Sequence, residues 1–404
     1  MKKRIFYIFT IIFVLFFVGI YLYKDNKEIL AEIKLDEGFI PSYGDILSAS
    51  DGYFIILKAV NSKIQDKDKD FLFYIFKIDF NGNVLWRKTL NENVLKLYEV
   101  PFVYKDNLYF LALNTKHKST EDTLFFEDNT LFMIKKSGEI EKILKIDDAI
   151  ESVEGIKQVE DSKFILLISD EVNVGTDKET LFRSFLKIDL YKKNYEYLWS
   201  IPMYKIGGNL IFLTDDLNKN FYKFYLETEG LTEITVDINE YFDVINRKKI
   251  ISLENFSIYD FFKRNDKFYI FADDYSEDSP LRINMFIYSL NGKKILEKSY
   301  KLFDDNNLLN SKKYLSIDRI VKIFDNKFLI FAKPYKRIEE EYDDKYSILV
   351  IDTNGKKIYE KESDGYILHD AILKDNKIIT LASRGNNPDN KILILQQTYT
   401  KEKD

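Results

Sequence analysis

Six carboxylates recur at one kind of place in this chain: Asp45, Glu99, Glu154, Asp260, Asp318 and Asp370, with Arg319 and His369 beside the last two. Each falls near the start of an apolar stretch. Carboxylates gathered at one mouth would hold a hard cation such as calcium or a cationic ligand. They would also suit glycoside hydrolysis, which needs two acids about 5 to 9.5 Å apart. The plainer expectation is that they accept backbone N–H groups left over at strand starts or meet solvent. His369-Asp370 has the pairing in which a carboxylate orients an imidazole for acid or base work, but no nucleophile motif accompanies it. Two His and no Cys argue against a transition-metal centre. Asp66, Asp68 and Asp70 alternate like the first half of a calcium loop. Phe71 stands where that loop needs Gly, however, and Lys77 where it needs its closing Glu, so the segment reads as a charged loop. His117 lies among lysines in a loop and reads as solvent-exposed. No residue is assigned as catalytic or as a metal ligand.

The elements that position these acids come from a repeated phrase, a polar turn followed by four or five apolar residues. It runs from Tyr53 to Leu57, Leu108 to Leu113, Phe164 to Ser169, Leu210 to Thr214, Phe268 to Ala272, Phe328 to Ala332 and Ile378 to Ala382. From residue 53 to residue 378 there are six intervals of about 54 residues, a repeat architecture. In the first copy, Ile46 to Ala49, Tyr53 to Val60, Phe71 to Asp79 and Val84 to Leu90 are four strands. Asn81-Gly82 between the last two is a strong hairpin signal, because the favoured turn needs positive φ. Related turns are read at Ser137-Gly138, Glu229-Gly230, Asn291-Gly292 and Asn354-Gly355. Runs such as Phe71 to Phe76 are apolar without alternation, which means burial on both faces. Four-stranded meanders packed on both faces are the blades of a β-propeller, ahead of tandem sandwiches, which would alternate. The expected fold is therefore an all-β propeller of about seven blades, six or eight being the alternatives. The last repeat ends without a fourth strand, and Ile29 to Leu35 resembles Ile140 to Ile146 and Ile295 to Leu302. That N-terminal strand is expected to complete the seventh blade and cover its edge.

The segment Asp79-Phe80-Asn81-Gly82-Asn83-Val84-Leu85-Trp86 resembles the pyrroloquinoline-quinone-like propeller repeat: an Asp, a turn with Gly, and Trp four residues on. Partial matches are Trp199, and Asp352 with Gly355 and Tyr359. The resemblance implies a fold shared by quinone-dependent dehydrogenases and cofactor-free scaffolds. Such dehydrogenases often carry a vicinal Cys pair at the cofactor; this chain has no Cys, so no quinone and no other cofactor is expected. Ser50-Asp51-Gly52 faintly echoes the Asp box of sialidase-type propellers, without its Trp. Trp86 and Trp199 read as packing residues.

In such blades the links between second and third strands leave one end, and here they are long: Asn61 to Asp70, Asn114 to Thr130, Asp170 to Thr180, Asp273 to Pro280 and Lys333 to Lys345. Long loops on a rigid scaffold are where binding usually resides. Three of them, Asn114 to Thr130, Asp170 to Thr180 and Asp273 to Pro280, are rich in acids, so a protein partner is expected on this outward face.

The 404 residues are 46% apolar and carry a net charge of −6, which suits a large folded core and argues against a nucleic-acid partner. Lys2-Lys3-Arg4 precedes Ile5 to Tyr23, an uncharged apolar run long enough to span a bilayer, where about 20 residues are needed. With no small-x-small site after it, it is expected to be an uncleaved anchor, cytoplasmic at its basic end. The expected organisation is a tip, anchor and linker over residues 1–27 and an extracytoplasmic propeller over residues 28–404. The expected role is binding or scaffolding, with a carboxylate-dependent glycan-active enzyme as the alternative.

Overall fold

The computed structural model describes residues 29–404, except 64–70, 91–93, 99, 116–125, 147–149, 151, 174–178, 203–208, 214–220, 228–229, 238–243, 254–255, 275–281, 304–313, 337–340, 343–344, 385–389 and 400–404. Among the described residues all regular structure is β: thirty strands in seven antiparallel sheets of four or five strands. The meander sheets are blades of a β-propeller. The expected anchor, Ile5 to Tyr23, lies outside the described residues, among which no helix is long and apolar enough to cross a membrane.

The inner strands form because their side chains are β-branched or aromatic on both faces. In Phe71–Asp79 the six residues from Phe73 to Ile78 are all buried. Third and fourth strands are joined by one device. The Asp79 carboxylate accepts the N–H groups of Asn81 and Asn83 at 2.9 and 2.8 Å, and Asp352 accepts those of Asn354 and Lys356 at the same distances. Gly82 and Gly355 then turn the chain at φ +87° and +76°. This is the physical content of the Asp and Gly of the repeat signature.

The chain packs as two compact units. The first comprises Met1–Thr89, Tyr342–Tyr346 and Ser363–Asp404. One of its sheets runs Phe39–Ala49, Gly52–Asn61, Phe71–Asp79, Val84–Leu90. The other is built from both ends of the chain: Tyr366–Lys374, Lys377–Arg384, Lys391–Thr398 and, outermost, Ile29–Lys34. Lys34 pairs with Lys391, Ile33 with Ile392 and Ile29 with Leu395, so residues 29–34 supply the fourth strand, as their likeness to other fourth strands predicts. Gly82 sits directly on this strand; a Cβ there would lie 2.1 Å from the Leu30 carbonyl oxygen.

The second unit comprises Leu90–Glu341 and Ser347–Glu362. Its apolar clusters join consecutive sheets, as where Phe271, Ile287 and Leu302 pack with Phe328, Ile330 and Leu349. Its third sheet differs from the sequence expectation. The phrase at residues 210–214 falls in the first strand, Asn209–Leu213, and not the second. Glu229-Gly230 consequently joins second to third strand, Phe221–Glu227 to Gly230–Asp237. The physical reason is Val244–Ser252, in a stretch the repeat pattern leaves unassigned: it takes the fourth place and moves every assignment inward by one.

Candidate functional site

The acids read from the sequence divide by register. Asp45 lies opposite Ile56, Asp260 opposite Phe271 and Asp370 opposite Leu381. All three stand four residues before the end of their first strand. A β-bulge immediately precedes Asp260 and Asp370, and such irregularities re-aim the side chain that follows. Asp318 pairs with Lys333 two places earlier in its strand, where Ile320 holds the equivalent register, and Arg319 pairs with Ala332. Glu154 lies at the irregularity between Val153 and Gly155. The side chains of Glu154, Asp318 and Arg319 lie outside the description, and so does Glu99 entirely. So do His117, residues 66–70 and most of the three acidic loops.

Asp370 is buried and fully engaged with backbone in the first unit. Its Oδ1 accepts the N–H of Ala371 at 2.7 Å and its Oδ2 accepts the N–H of Ile46 at 3.0 Å. The second bond crosses from Tyr366–Lys374 to Phe39–Ala49, so the carboxylate clasps first strands of two sheets. Buried His369 meets Ser383 Oγ through Nε2 at 2.9 Å. Asp45 accepts the Tyr43 hydroxyl at 3.0 Å in a more exposed setting.

Asp260, in the second unit, repeats one half of the Asp370 arrangement. Its Oδ1 accepts the N–H of Phe261 at 2.7 Å. Burial pushes its carboxyl up to about 7, with the Phe261 N–H working in the opposite direction. A carboxyl near neutrality is able to give or take a proton at working pH.

Two polar clusters escaped sequence reasoning. Lys77 is fully buried, with Nζ 2.7 Å from Asp51 Oδ1 in an off-axis charge contact and 4.1 Å from the Phe54 ring centroid. Its signal was a single cation inside the apolar run Phe71 to Ile78. Asp36 accepts the Tyr74 hydroxyl at 2.8 Å and meets Arg87 Nη2 at 2.7 Å. The Tyr74 hydroxyl, then Arg87, hold the Asp36 carboxyl below its usual range. Burial first, then Asp36, pushes the Tyr74 phenol up to about 12. Nothing in the spacing of residues 36, 74 and 87 announces this cluster. Trp86 packs as expected of a blade residue, 6.0 Å from Phe54 between ring centroids. Among the described residues no group of His, Cys, Asp and Glu is arranged to hold a metal ion.

No family model matches the chain, and no curated protein matches it. Among solved structures it is similar to the acylaminoacyl peptidase of Pyrococcus horikoshii, at 11% identity and a TM-score of 0.50, covering 92% of this chain and 54% of that one. It is similar also to a puromycin hydrolase, at 9% identity and a TM-score of 0.46, covering 88% and 53%. A third is the periplasmic gluconolactonase PpgL of Pseudomonas aeruginosa, at 8% identity and a TM-score of 0.45, covering 90% and 96%. The chain thus spans about half the length of the peptidase and of the puromycin hydrolase. At these identities the likeness speaks to the fold alone.

Proposed function

We propose that this chain is a membrane-anchored, extracytoplasmic binding or scaffold module, a propeller of seven pyrroloquinoline-quinone-like blades that carries no quinone. In this reading residues 1–27 provide a cytoplasmic tip, the anchor and a linker, and residues 28–404 the propeller. A protein partner docks on the end bearing the long, acid-rich links. The observation that carries the choice of binding over catalysis is Asp370. Both of its oxygens are occupied by backbone N–H groups in a buried setting, so this member of the acid set holds strands together and is not presented to a substrate.

The second reading, a carboxylate-dependent glycan-active enzyme, is favoured by Asp260, whose carboxyl titrates near 7 as a general acid should. The neighbours' names, a peptidase, a puromycin hydrolase and a gluconolactonase, describe those proteins. Asp45, Glu99, Glu154, Asp260, Asp318, Arg319 and His369 stay ligand-binding candidates under both readings, and Asp370 leaves that set.

The test is a cross-linked capture from native membranes with the full chain as bait. A parallel variant has Glu121, Asp122, Asp177, Glu277 and Asp278 replaced by Gln or Asn. A stoichiometric protein captured by the parent and lost in the variant supports the module. Glycan cleavage by the purified chain that disappears in Asp260→Asn, with no partner recovered, supports the enzyme instead.

A further inference from the structure

Asp370 and Asp260 make the same first bond and differ in the second. Each stands directly after a β-bulge, and each accepts through Oδ1, at 2.7 Å, the N–H of the residue that follows it, Ala371 or Phe261. In the first unit Asp370 Oδ2 goes on to the N–H of Ile46 in another first strand. In the second unit Asp260 Oδ2 accepts no hydrogen bond among the described residues. The residue that holds the register of Ile46 in the sheet beside it is Val321, opposite Ile330, and no bond joins its N–H to the carboxylate.

Asp260 is partly exposed, whereas Asp370 is buried, and yet desolvation pushes the Asp260 carboxyl up to about 7. A side chain that is crowded by protein and still touched by solvent lies on the floor of a narrow recess, not on an open surface. It is the fifth of nine residues in Phe256–Arg264, so either strand end is about 13 Å away at about 3.3 Å per residue. The first strand of the adjoining sheet, Tyr314–Phe324, runs beside it and brings Ile320 to the same register. Ile320 is 36% exposed, an apolar side chain left to solvent at the level of the acid. The titratable residues near this level are Tyr259, Lys263 and Arg264 on the acid's own strand and Asp318, Arg319 and Lys322 on the strand of Ile320. Asn209–Leu213, the first strand on the other side, and the stretch from Ile270 to Ala272 opposite the acid contain none. Among the described residues, desolvation and the Phe261 N–H set the titration of Asp260.

One carboxylate with one open oxygen falls short of the six or more oxygens that calcium takes. It matches a protonated amine. An ammonium N–H can donate to Oδ2 in the place that the Ile46 N–H fills at Asp370, as a charge-assisted bond, and its charge offsets the cost of keeping a desolvated carboxylate ionised. A carbon chain on that nitrogen finds Ile320 at the same level. The recess is deeper than a lysine side chain on a docked protein surface reaches, which favours a small free amine. We propose that Asp260 and Ile320 form a subsite in the second unit for a small alkylammonium ion, its nitrogen on Asp260 Oδ2 and its carbon chain against Ile320. This rests on the binding reading of the first-strand acids and names the ligand class that one of them takes.

The probe is n-butylammonium, with n-butanol as its uncharged counterpart, titrated by calorimetry into the full-length chain in zwitterionic detergent at pH 5 and pH 8. The amine stays protonated throughout this range, as a lysine does. Only the ionised carboxyl is competent to bind it, so a midpoint near 7 makes the apparent affinity about 90-fold higher at pH 8 than at pH 5. Asp260→Asn, which keeps the acceptor for Phe261 and removes the buried charge, should lose the binding while its melting curve shows a folded protein. Ile320→Ser should weaken binding several-fold and keep the ratio between the two pH values. Equal affinity at pH 5 and pH 8 overturns the inference. Undiminished binding by Asp260→Asn, or binding of n-butanol as strong as that of the amine, does the same. Cross-linked capture in parallel keeps the two readings apart. A partner captured by a chain that binds no amine leaves the module standing and removes this inference. Amine binding without a captured partner removes the docked protein and leaves the inference standing.

Discussion

Asp370 and Asp260 occupy the same register in their strands and should respond in opposite directions to the same change, Asp→Asn. At Asp370 both oxygens are acceptors for backbone N–H groups, at 3.0 Å from Ile46 and 2.7 Å from Ala371. An amide has one acceptor oxygen, so its NH2 group must face one of these donors, which leaves a buried N–H unpaired at a cost of about 1–3 kcal/mol. Because one tenfold step corresponds to about 1.4 kcal/mol, amide exchange at Ile46 should quicken by about 5- to 150-fold. At Asp260 the folded carboxyl titrates near 7, against about 3.9 in an unfolded chain. The folded state therefore binds the extra proton between those values. Its contribution is fully favourable below about 3.9 and is lost as pH rises through 7, with a ceiling of roughly 4 kcal/mol at three units of displacement. Asp260→Asn removes this penalty and keeps the acceptor for Phe261. Urea denaturation of both variants at pH 5 and pH 8, with exchange mass spectrometry on the peptide containing Ile46, decides the matter. Asp370→Asn should be less stable at both pH values, and Asp260→Asn more stable than the parent at both, by up to roughly 4 kcal/mol at pH 8 and by roughly 1.5 kcal/mol at pH 5. Equal and pH-independent losses in the two variants would refute the reasoning that register alone does not define these acids' roles.

Gly82→Ala should loosen the N-terminal strand, since the new Cβ meets the Leu30 carbonyl at 2.1 Å and the backbone is held at φ +87°. A loss of about 1–3 kcal/mol, seen as faster proteolysis between residues 24 and 36 than in Gly138→Ala, checks it. Lys77→Ala breaks a buried charge contact with Asp51 and should cost about 3–5 kcal/mol by thermal or urea melts. Lys77→Met combined with Asp51→Asn should recover most of that loss, because neither charge is then left without its partner.

Much of this architecture is written in local pattern. Apolar runs without alternation, such as Phe71 to Phe76, require burial on both faces wherever they fold, and Asn-Gly turns admit little besides a hairpin. The likeness of Ile29 to Leu35 to other fourth strands told where the N-terminal strand goes, because a strand's edge and face preferences are carried in its own side chains. The failure at residues 209–252 has the same origin. Local pattern recognises a strand but not its ordinal place, and Val244–Ser252 took a place the pattern had left empty. The recurrence of acids in first strands was legible too. A finer signal was present and unread: Asp45, Asp260 and Asp370 each lie eight residues before their apolar phrase, whereas Asp318 lies ten before. What spacing does not contain is the partner. Whether a carboxylate is clasped by two N–H groups, as at Asp370, or holds one and is pushed toward neutrality, as at Asp260, depends on which strand of another sheet comes alongside. The neighbour of Asp370 is Ile46, 324 residues away in the chain. Hydrogen bonding and desolvation act over a few ångströms in space, so only the tertiary structure separates the acid that fastens strands from the acid free to titrate.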